Sequence, residues 1–148
     1  MTIFLDIDGV LNQLQGKYYL DSKCIENLGK LCKKLRATVV LTSSWRFGYS
    51  RLGKSTPQIE KLKQMFSEHQ IKISGRTADF RNRASEIKHY IQDNNITNYI
   101  ILDDDITEFK GEKLDNTYII NSKTGLTEKD IKKILKQGGY KHENSGLL

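Results

Sequence analysis

The sequence predicts an α/β fold with a central, mainly parallel sheet, and three observations predict it. Apolar runs of strand length alternate along the chain with amphipathic segments of helical spacing. The apolar runs are continuous rather than alternating, which is typical of parallel strands buried on both faces. Three of these runs end in clusters of polar residues, and in open α/β sheets ligands bind beyond the carboxyl ends of the strands.

The first half of the chain is predicted to contain two strands and two helices. Ile25, Leu28 and Leu35 recur at the spacing of a helix, and Pro57 suits the first turn of another. In chain order we predict a strand over 1–5, a loop over 9–20, a helix from Asp21 or Ser22 to about Arg36, a strand over 37–41, an irregular stretch over 45–56 and a helix from Pro57.

The second half is predicted to add three strands and two helices. Thr127, with Asp130 three residues later, has the pattern of a helix cap. In chain order we predict a short strand at Ile71 and Ile73, a loop over 74–82, a helix over 84–94, strands over 99–102 and 117–120, and a helix over 127–137. We expect a single domain over 1–137 and a frayed tail over 138–148.

The composition favours a protein that binds anions. The 148 residues carry a net charge of +6, and a basic balance favours nucleotides, nucleic acid or other phosphorylated molecules. No apolar run approaches the roughly 18–20 residues that span a bilayer, and the start of the chain lacks the pattern of a signal peptide. We therefore expect no membrane partner and a cytoplasmic location. Cys24 and Cys32 are interpreted as small, buried apolar side chains.

Acidic residues follow two of the predicted strands. Asp6 and Asp8 come directly after the first strand, and Asp103 and Asp104 end the strand near residue 100. Carboxylates crowded at one sheet edge repel one another, and burial of their charge is costly unless a cation compensates it. Carboxylate oxygens and water are ligands that suit Mg²⁺, which commonly joins protein carboxylates to a substrate phosphate.

The residue types at these strand ends predict phosphate chemistry. One aspartate can attack phosphorus as a covalent nucleophile, and a second, two residues on, can act as general acid and then general base. The hydroxyl groups of Thr42 and Ser43, with a nearby arginine or lysine, can hold the remaining phosphate oxygens. A single strand-end aspartate more often caps a turn, but three polar strand ends in this order favour a site.

Three segments carry a resemblance to a known family. The segment 6–12, Asp-Ile-Asp-Gly-Val-Leu-Asn, resembles the first motif of the haloacid-dehalogenase (HAD) superfamily, 41–46 resembles its second motif, and 101–104 resembles its fourth. The chain is similar, over about residues 1–137, to the HAD phosphatase domain of Swiss Army knife RNA-repair proteins. The resemblance implies a three-layer, Rossmann-like fold with a minimal cap or none.

The resemblance also implies roles for individual residues. Asp6 would be the nucleophile that forms an aspartyl-phosphate, and Asp8 would be the general acid and base. Thr42, helped by Ser43, would bind the phosphoryl group. The implied magnesium ligands are Asp6, the main-chain carbonyl of Asp8, and Asp104, with Asp103 adjacent or sharing the role.

The third motif is a single basic residue, and several residues compete for it. Arg83 stands where the resemblance expects it, at the start of the helix before the fourth motif, while Lys88 and Arg81 are alternatives. Each of these can equally be a solvated helix charge. Arg46 can face an anionic substrate or form a salt bridge, and Trp45 is interpreted as a packing residue.

A second phosphate motif is misleading. The segment 48–55 matches the P-loop pattern G-x-x-x-x-G-K-S, which requires a strand directly before it and a helix directly after it. The predicted strand ends at residue 41, bulky residues fill the loop, and Pro57 follows closely. We therefore interpret the match as accidental.

We expect a magnesium-dependent phosphatase that works through an aspartyl-phosphate on nucleotide or nucleic-acid-end phosphates. The short stretches after the first and second motifs leave no room for a large cap, which favours a bulky substrate. One alternative is a non-catalytic binding protein that sequesters a nucleotide or other phosphorylated ligand. Another is a structural nucleic-acid-binding domain, which would explain the charge but not the acidic strand ends.

Overall fold

A five-stranded parallel sheet forms the centre of the computed structural model, which describes residues 1–14 and 19–139. The strands are β1 (Thr2–Leu5), β2 (Thr38–Leu41), β3 (Ile73–Arg76), β4 (Tyr99–Asp103) and β5 (Thr117–Ile119). The α-helices are α1 (Ser22–Leu35), α2 (Pro57–Glu68), α3 (Arg83–Asp93) and α4 (Glu128–Ile134). The predicted α/β fold with a parallel sheet is confirmed.

The strand order places one crevice at the carboxyl end of β1. The order is β3-β2-β1-β4-β5, so the chain builds the sheet outward from β1 on one side and then returns to build the other side. Phe4 of β1 is in register with Val40 of β2 and with Ile101 of β4. In open α/β sheets the ligand site lies where the strand order reverses, which here is directly after β1.

Helices cover both faces of the sheet because side chains alternate along each strand. On one face Ile3 and Leu5 join the larger hydrophobic cluster, to which α1, α2 and α4 contribute. On the other face Phe4 packs with Ala84 and Ile87 of α3. The protein therefore has the three layers that the sequence resemblance implied.

Side-chain caps define where three helices begin. The Asp21 carboxylate accepts hydrogen bonds from the backbone N–H groups of Lys23 and Cys24 at the start of α1. Thr56 caps α2, and Pro57 occupies its first turn, where a missing N–H costs nothing. Thr127 caps α4 in a reciprocal arrangement with Asp130, which confirms the predicted cap.

The structure differs from the sequence prediction in segments whose secondary structure depends on tertiary contacts. β3 extends to Arg76 although 74–82 was predicted to be a loop, because Gly75 and Arg76 pair with β2 despite weak strand propensity. Short 3₁₀ helices, Ser44–Gly48 and Ile106–Phe109, replace irregular chain. The last helix continues as a π-helical turn, Leu135–Gly139.

Some predictions fall partly outside the described residues. Positions 15–18 of the predicted loop and positions 140–148 of the predicted tail lie outside the described residues. The division into a domain over 1–137 and a tail over 138–148 therefore stays a prediction. Cys24 and Cys32 are buried, as expected. In the described part of the chain, no helix is long and apolar enough to cross a membrane.

Replacing Leu28 by alanine should destabilise the protein by roughly 2–5 kcal/mol, because the fully buried side chain of α1 would leave a cavity in the core. Leu52, which is 98% exposed, is the matched control, and Leu52→Ala should change the free energy of unfolding by less than about 0.5 kcal/mol. Urea unfolding followed by circular dichroism measures both. Equal effects of the two substitutions would contradict the described core.

Candidate active site

Asp6 lies at the crevice that the strand order creates. It follows β1 directly, and its backbone N–H donates to the carbonyl of Leu102 on the neighbouring strand. Its side chain is almost fully buried. The position of this carboxylate is therefore set by the sheet, because the Asp6 N–H is bonded to β4 and the preceding Leu5 carbonyl accepts from Thr42, directly after β2.

Asp8 is held by two side chains. Its Oδ1 accepts a hydrogen bond from Asn12 Nδ2 at 2.9 Å, and its Oδ2 accepts one from Trp45 Nε1 at 3.2 Å. Asn12 Oδ1 in turn accepts from the backbone N–H of Gly9. The loop after β1 and the segment after β2 thus fix one carboxyl group together. The partnership of Trp45 with Asp8 was not predicted, since the indole was interpreted as a packing residue.

Asp103, the last residue of β4, and Asp104, which follows it, differ in burial. Asp103 is fully buried and accepts from the backbone N–H of Asp105 at 2.9 Å, whereas Asp104 lines the cavity above β1. Gly9 adopts φ +83°, and a β-carbon there would collide with the Asp104 carboxylate. The residue after Asp8 must therefore be a glycine for the loop to approach β4 this closely.

Three carboxylates form a group that can hold a metal ion. One oxygen each from Asp6, Asp103 and Asp104 lies within 4.8 Å of the others. Burial, with Asp103 and Asp104 alongside, raises the pKa of Asp6 from 3.8 to about 9, although Arg83 opposes the rise. Such crowding of like charges fits a hard divalent cation, and carboxylate oxygens are the donors that magnesium accepts.

Arg83 is the basic residue that the structure brings to this group. Its Nη1 lies 2.6 Å from Asp103 Oδ2 and 3.5 Å from Asp6 Oδ1. Burial lowers the pKa of Arg83, but Asp103 and Asp6 outweigh it, so the pKa lies above its usual value and the guanidinium stays charged. Its Nε is buried without a hydrogen-bond partner in the described structure.

Thr42 and Ser43 follow β2 beside Asp6. The Thr42 backbone N–H donates to the Leu5 carbonyl at 3.0 Å, while its buried Oγ1 has no hydrogen-bond partner in the described structure. An unpaired buried hydroxyl is costly, so this atom fits a missing ligand oxygen. Ser43 lines the cavity, and its Oγ accepts from the backbone N–H of Trp45.

An open cavity of about 370 Å³ joins these residues. Among the predicted site residues, five line it, whereas Thr42 and Asp103 are buried and do not form part of its wall. The five are Asp6, Asp8, Ser43, Arg83 and Asp104. Ser44, Asp105 and Glu108 also contribute to the wall. Ser44 and Asp105 belong to the polar clusters predicted at the strand ends, although neither was given a role, whereas Glu108 was not predicted. Ser44 and Glu108 lie in the two 3₁₀ helices, which the sequence patterns did not reveal, and Asp105 caps the second of them.

Other predicted phosphate ligands lie elsewhere. Lys88 Nζ forms an ion pair with Glu112 at 2.6 Å and does not line the cavity, so the structure does not bring Lys88 to the proposed phosphate site. Arg81 lies beside the Phe80 ring. In the segment 48–55 a 3₁₀ helix, not a strand, precedes the loop, so the P-loop context is missing.

Arg46 forms a salt bridge rather than facing the cavity. Its Nη2 lies 3.0 Å from Glu86 Oε2, and both side chains are buried. Its other nitrogens donate to the carbonyls of Thr42, Ser43 and Thr77. One buried arginine therefore ties the ends of β2 and β3 to helix α3, which begins with Arg83.

The fold and the site together define a class of protein. A parallel sheet in this order, with paired aspartates after β1 and further aspartates at the end of β4, is that of an HAD-type, phosphatase-like domain. The sequence profile of the HAD domain in Swiss Army Knife RNA repair proteins matches residues 2–131, so the chain belongs to this family. No curated protein and no solved structure matches it at a significant level.

The metal-free protein should lose stability as the pH rises, because of Asp6. An unfolded chain releases the Asp6 proton near the ordinary pKa of 3.8, whereas the folded chain keeps it up to a pKa of about 9. The stabilisation is therefore complete below pH 4 and is lost progressively towards pH 9. With EDTA present, Tm should fall more between pH 5.5 and 8.5 in the wild type than in Asp6→Asn.

Asp115→Asn, which changes an exposed carboxylate, provides the control and should keep the wild-type pH dependence. Magnesium at pH 8.5 should raise the Tm of the wild type more than that of Asp6→Asn, because it binds the ionised carboxylate. Identical pH profiles for the wild type and Asp6→Asn would contradict the described environment of Asp6.

Breaking the Arg46–Glu86 pair should be far more damaging than breaking an exposed pair. Arg46→Met would leave the Glu86 charge buried and unpaired, and should cost roughly 3–5 kcal/mol of unfolding free energy. Glu112→Gln, which removes the exposed partner of Lys88, should cost at most about 1 kcal/mol. Chemical denaturation compares them, and similar costs would contradict the assignment of a buried network.

Proposed function

We propose that this protein is a magnesium-dependent phosphatase that hydrolyses phosphomonoesters at nucleotide or nucleic-acid ends through an aspartyl-phosphate. The observation that carries the proposal is the convergence of Asp6, Asp8, Asp104 and Arg83 on one open cavity at the end of β1. A strand-end aspartate by itself caps a turn, but four charged groups on a shared cavity wall match the needs of phosphoryl transfer.

In the proposed first step an Asp6 oxygen attacks phosphorus, and the bond from phosphorus to the ester oxygen breaks. Asp8 donates a proton to the leaving oxygen, which departs as an alcohol. In the second step water attacks the aspartyl-phosphate, Asp8 accepts its proton, and inorganic phosphate leaves. Asn12 and Trp45 support this exchange because they hold the Asp8 carboxyl group beside the nucleophile.

The remaining residues bind and orient the phosphoryl group. The Arg83 guanidinium supplies positive charge next to Asp6, and its Nε is free to donate to an oxygen of the substrate. Thr42 Oγ1 and the Ser43 hydroxyl supply further polar atoms. Magnesium, held by Asp6, Asp104 and the Asp8 carbonyl with Asp103 behind them, would neutralise charge on the phosphate oxygens.

The substrate class follows from access and charge. In the described residues, the insertion between β2 and β3 contributes a 3₁₀ helix and α2, and α2 packs on the core rather than over the cavity. An open cavity accepts the end of a large molecule, and a net charge of +6 favours a polyanion. The family description, which refers to RNA repair, supports a nucleic-acid end.

With magnesium, the wild type should release phosphate from an aryl phosphate and from 3′- or 5′-phosphorylated oligonucleotides. Asp6→Asn should lower kcat by about a thousandfold or more, because an amide cannot form the acyl-phosphate. Asp115→Asn is the matched control and should keep wild-type turnover. A malachite-green phosphate assay, with and without EDTA, measures each rate.

Two results would contradict the proposed enzyme, and the first of them would favour a binding protein. Tight, saturable binding of a phosphorylated nucleotide with no product over many hours would establish a sequestering function instead. Turnover that Asp6→Asn leaves unchanged would also contradict the proposal, since the nucleophile would then lie elsewhere.

A further inference from the structure

A second depression lies along the free edge of the sheet, at strand β3. We call it the edge groove; its walls are the loop 49–52, residues 74–76 of the edge strand β3, and Tyr90 and Asn94. Its volume is about 530 Å³. A β-carbon at position 75 would lie 2.5 Å from the Tyr90 hydroxyl oxygen. Because Gly75 has no side chain, Tyr90 has space to line the groove.

The edge groove is cationic. Arg51 and Arg76 both line it, and none of the described residues that line it is acidic. Both arginines are exposed, and within the described ranges neither forms an ion pair with a carboxylate. Unpaired arginines that share a groove attract an anion more strongly than scattered surface charges do.

The positive surface continues from the groove onto α2. Lys63 Nζ lies 5.3 Å from the centroid of the Tyr49 ring, and Lys54 and Lys61 border the adjoining depression at the start of α2. Glu60 is the one acidic residue among those described on that wall. An extended polyanion, rather than a single small anion, matches a basic surface of this extent.

One segment of chain connects this groove with the catalytic cavity. Ser43 and Ser44 line the cavity, and 49–52 line the groove, so the intervening 3₁₀ helix runs from one to the other. Phe47 on that helix is 55% exposed, with the Arg46 Cζ 4.3 Å and the Arg76 Cζ 6.0 Å from its ring centroid. An exposed aromatic ring beside arginines is a typical surface for stacking an unpaired base.

We propose that the edge groove binds the phosphodiester backbone of a single-stranded polynucleotide, and that Phe47 stacks one of its bases. The inference rests on the proposed function in one respect: the strand in the groove is the strand whose end phosphate enters the catalytic cavity. Arg51 and Arg76 contact internal phosphates, so they determine a preference for oligonucleotides over mononucleotides without acting in the chemistry.

An unphosphorylated single-stranded decamer tests the groove without requiring any turnover. Fluorescence anisotropy should show that the double variant Arg51→Ala/Arg76→Ala binds it about tenfold more weakly than the wild type. The slope of log K against log salt should be shallower by about 1.4, since each phosphate contact on a single strand contributes roughly 0.7. Phe47→Ala should weaken binding by about fivefold or more and leave that slope unchanged.

The matched control is Lys33→Ala/Lys34→Ala, which removes the same charge from exposed positions in the last turn of α1. It should weaken binding less than about twofold. Equal weakening by the two double variants would overturn the proposal, because diffuse charge would then explain the binding. Equally tight binding of the duplex form, or of a polyglutamate chain, would also overturn it, because neither offers unpaired bases.

Kinetics separate this inference from the proposed function. With phosphorylated oligonucleotides of increasing length, KM should fall until the strand fills the groove, and Arg51→Ala/Arg76→Ala should abolish that fall while kcat and aryl-phosphate turnover stay at wild-type values. If the KM of the double variant still falls with oligonucleotide length, the proposed role of the groove is wrong, while the proposed phosphatase activity is unaffected. Absence of turnover on every substrate would overturn the phosphatase and leave the decamer experiment as the test of the groove.

Discussion

The crowding of carboxylates at the end of β1 is the constraint on which the rest of the site depends. Asp6, Asp103 and Asp104 share a space in which their charges repel, and Arg83 is the guanidinium that the described structure places among them. Burial raises the pKa of Asp6 to about 9, and Asp103 and Asp104 add to the rise because Arg83 alone does not offset them. The same excess of negative charge prepares the cavity for a divalent cation.

The position of Arg83 depends in turn on a second buried ion pair. Arg46 and Glu86 join the ends of β2 and β3 to α3, one turn from Arg83. A buried pair of this kind adds little net stability, but it is costly to break because one charge would remain unpaired. Its effect is geometric: Arg46 joins the carbonyls of Thr42 and Ser43, after β2, to Glu86 near the start of α3, where Arg83 lies.

The strands and their polar ends could be predicted from the sequence because both signals are local. Continuous apolar residues mark β1, β2 and β4, and polar residues end or follow them: Asp6 after β1, Thr42 after β2 and Asp103 at the end of β4. Strand β3 was predicted only in part, since Gly75 and Arg76 are strand-like only through their pairing with β2. The groups that hold Asp8 were missed for a similar reason, because no spacing along the chain reveals that Trp45 reaches across from another strand end.

The sequence by itself determined the α/β class, the family resemblance and the acidic residues at the strand ends, because apolar periodicity and residue type are properties of the chain. Only the tertiary structure decided which basic side chain joins the aspartates of the cavity: Arg83 contacts Asp103 and Asp6, while Lys88 pairs with Glu112. It also decided that Arg46 is buried and that Arg51 and Arg76 share one groove. These outcomes depend on the strand order and on helix packing, which bring together side chains that are distant in the sequence.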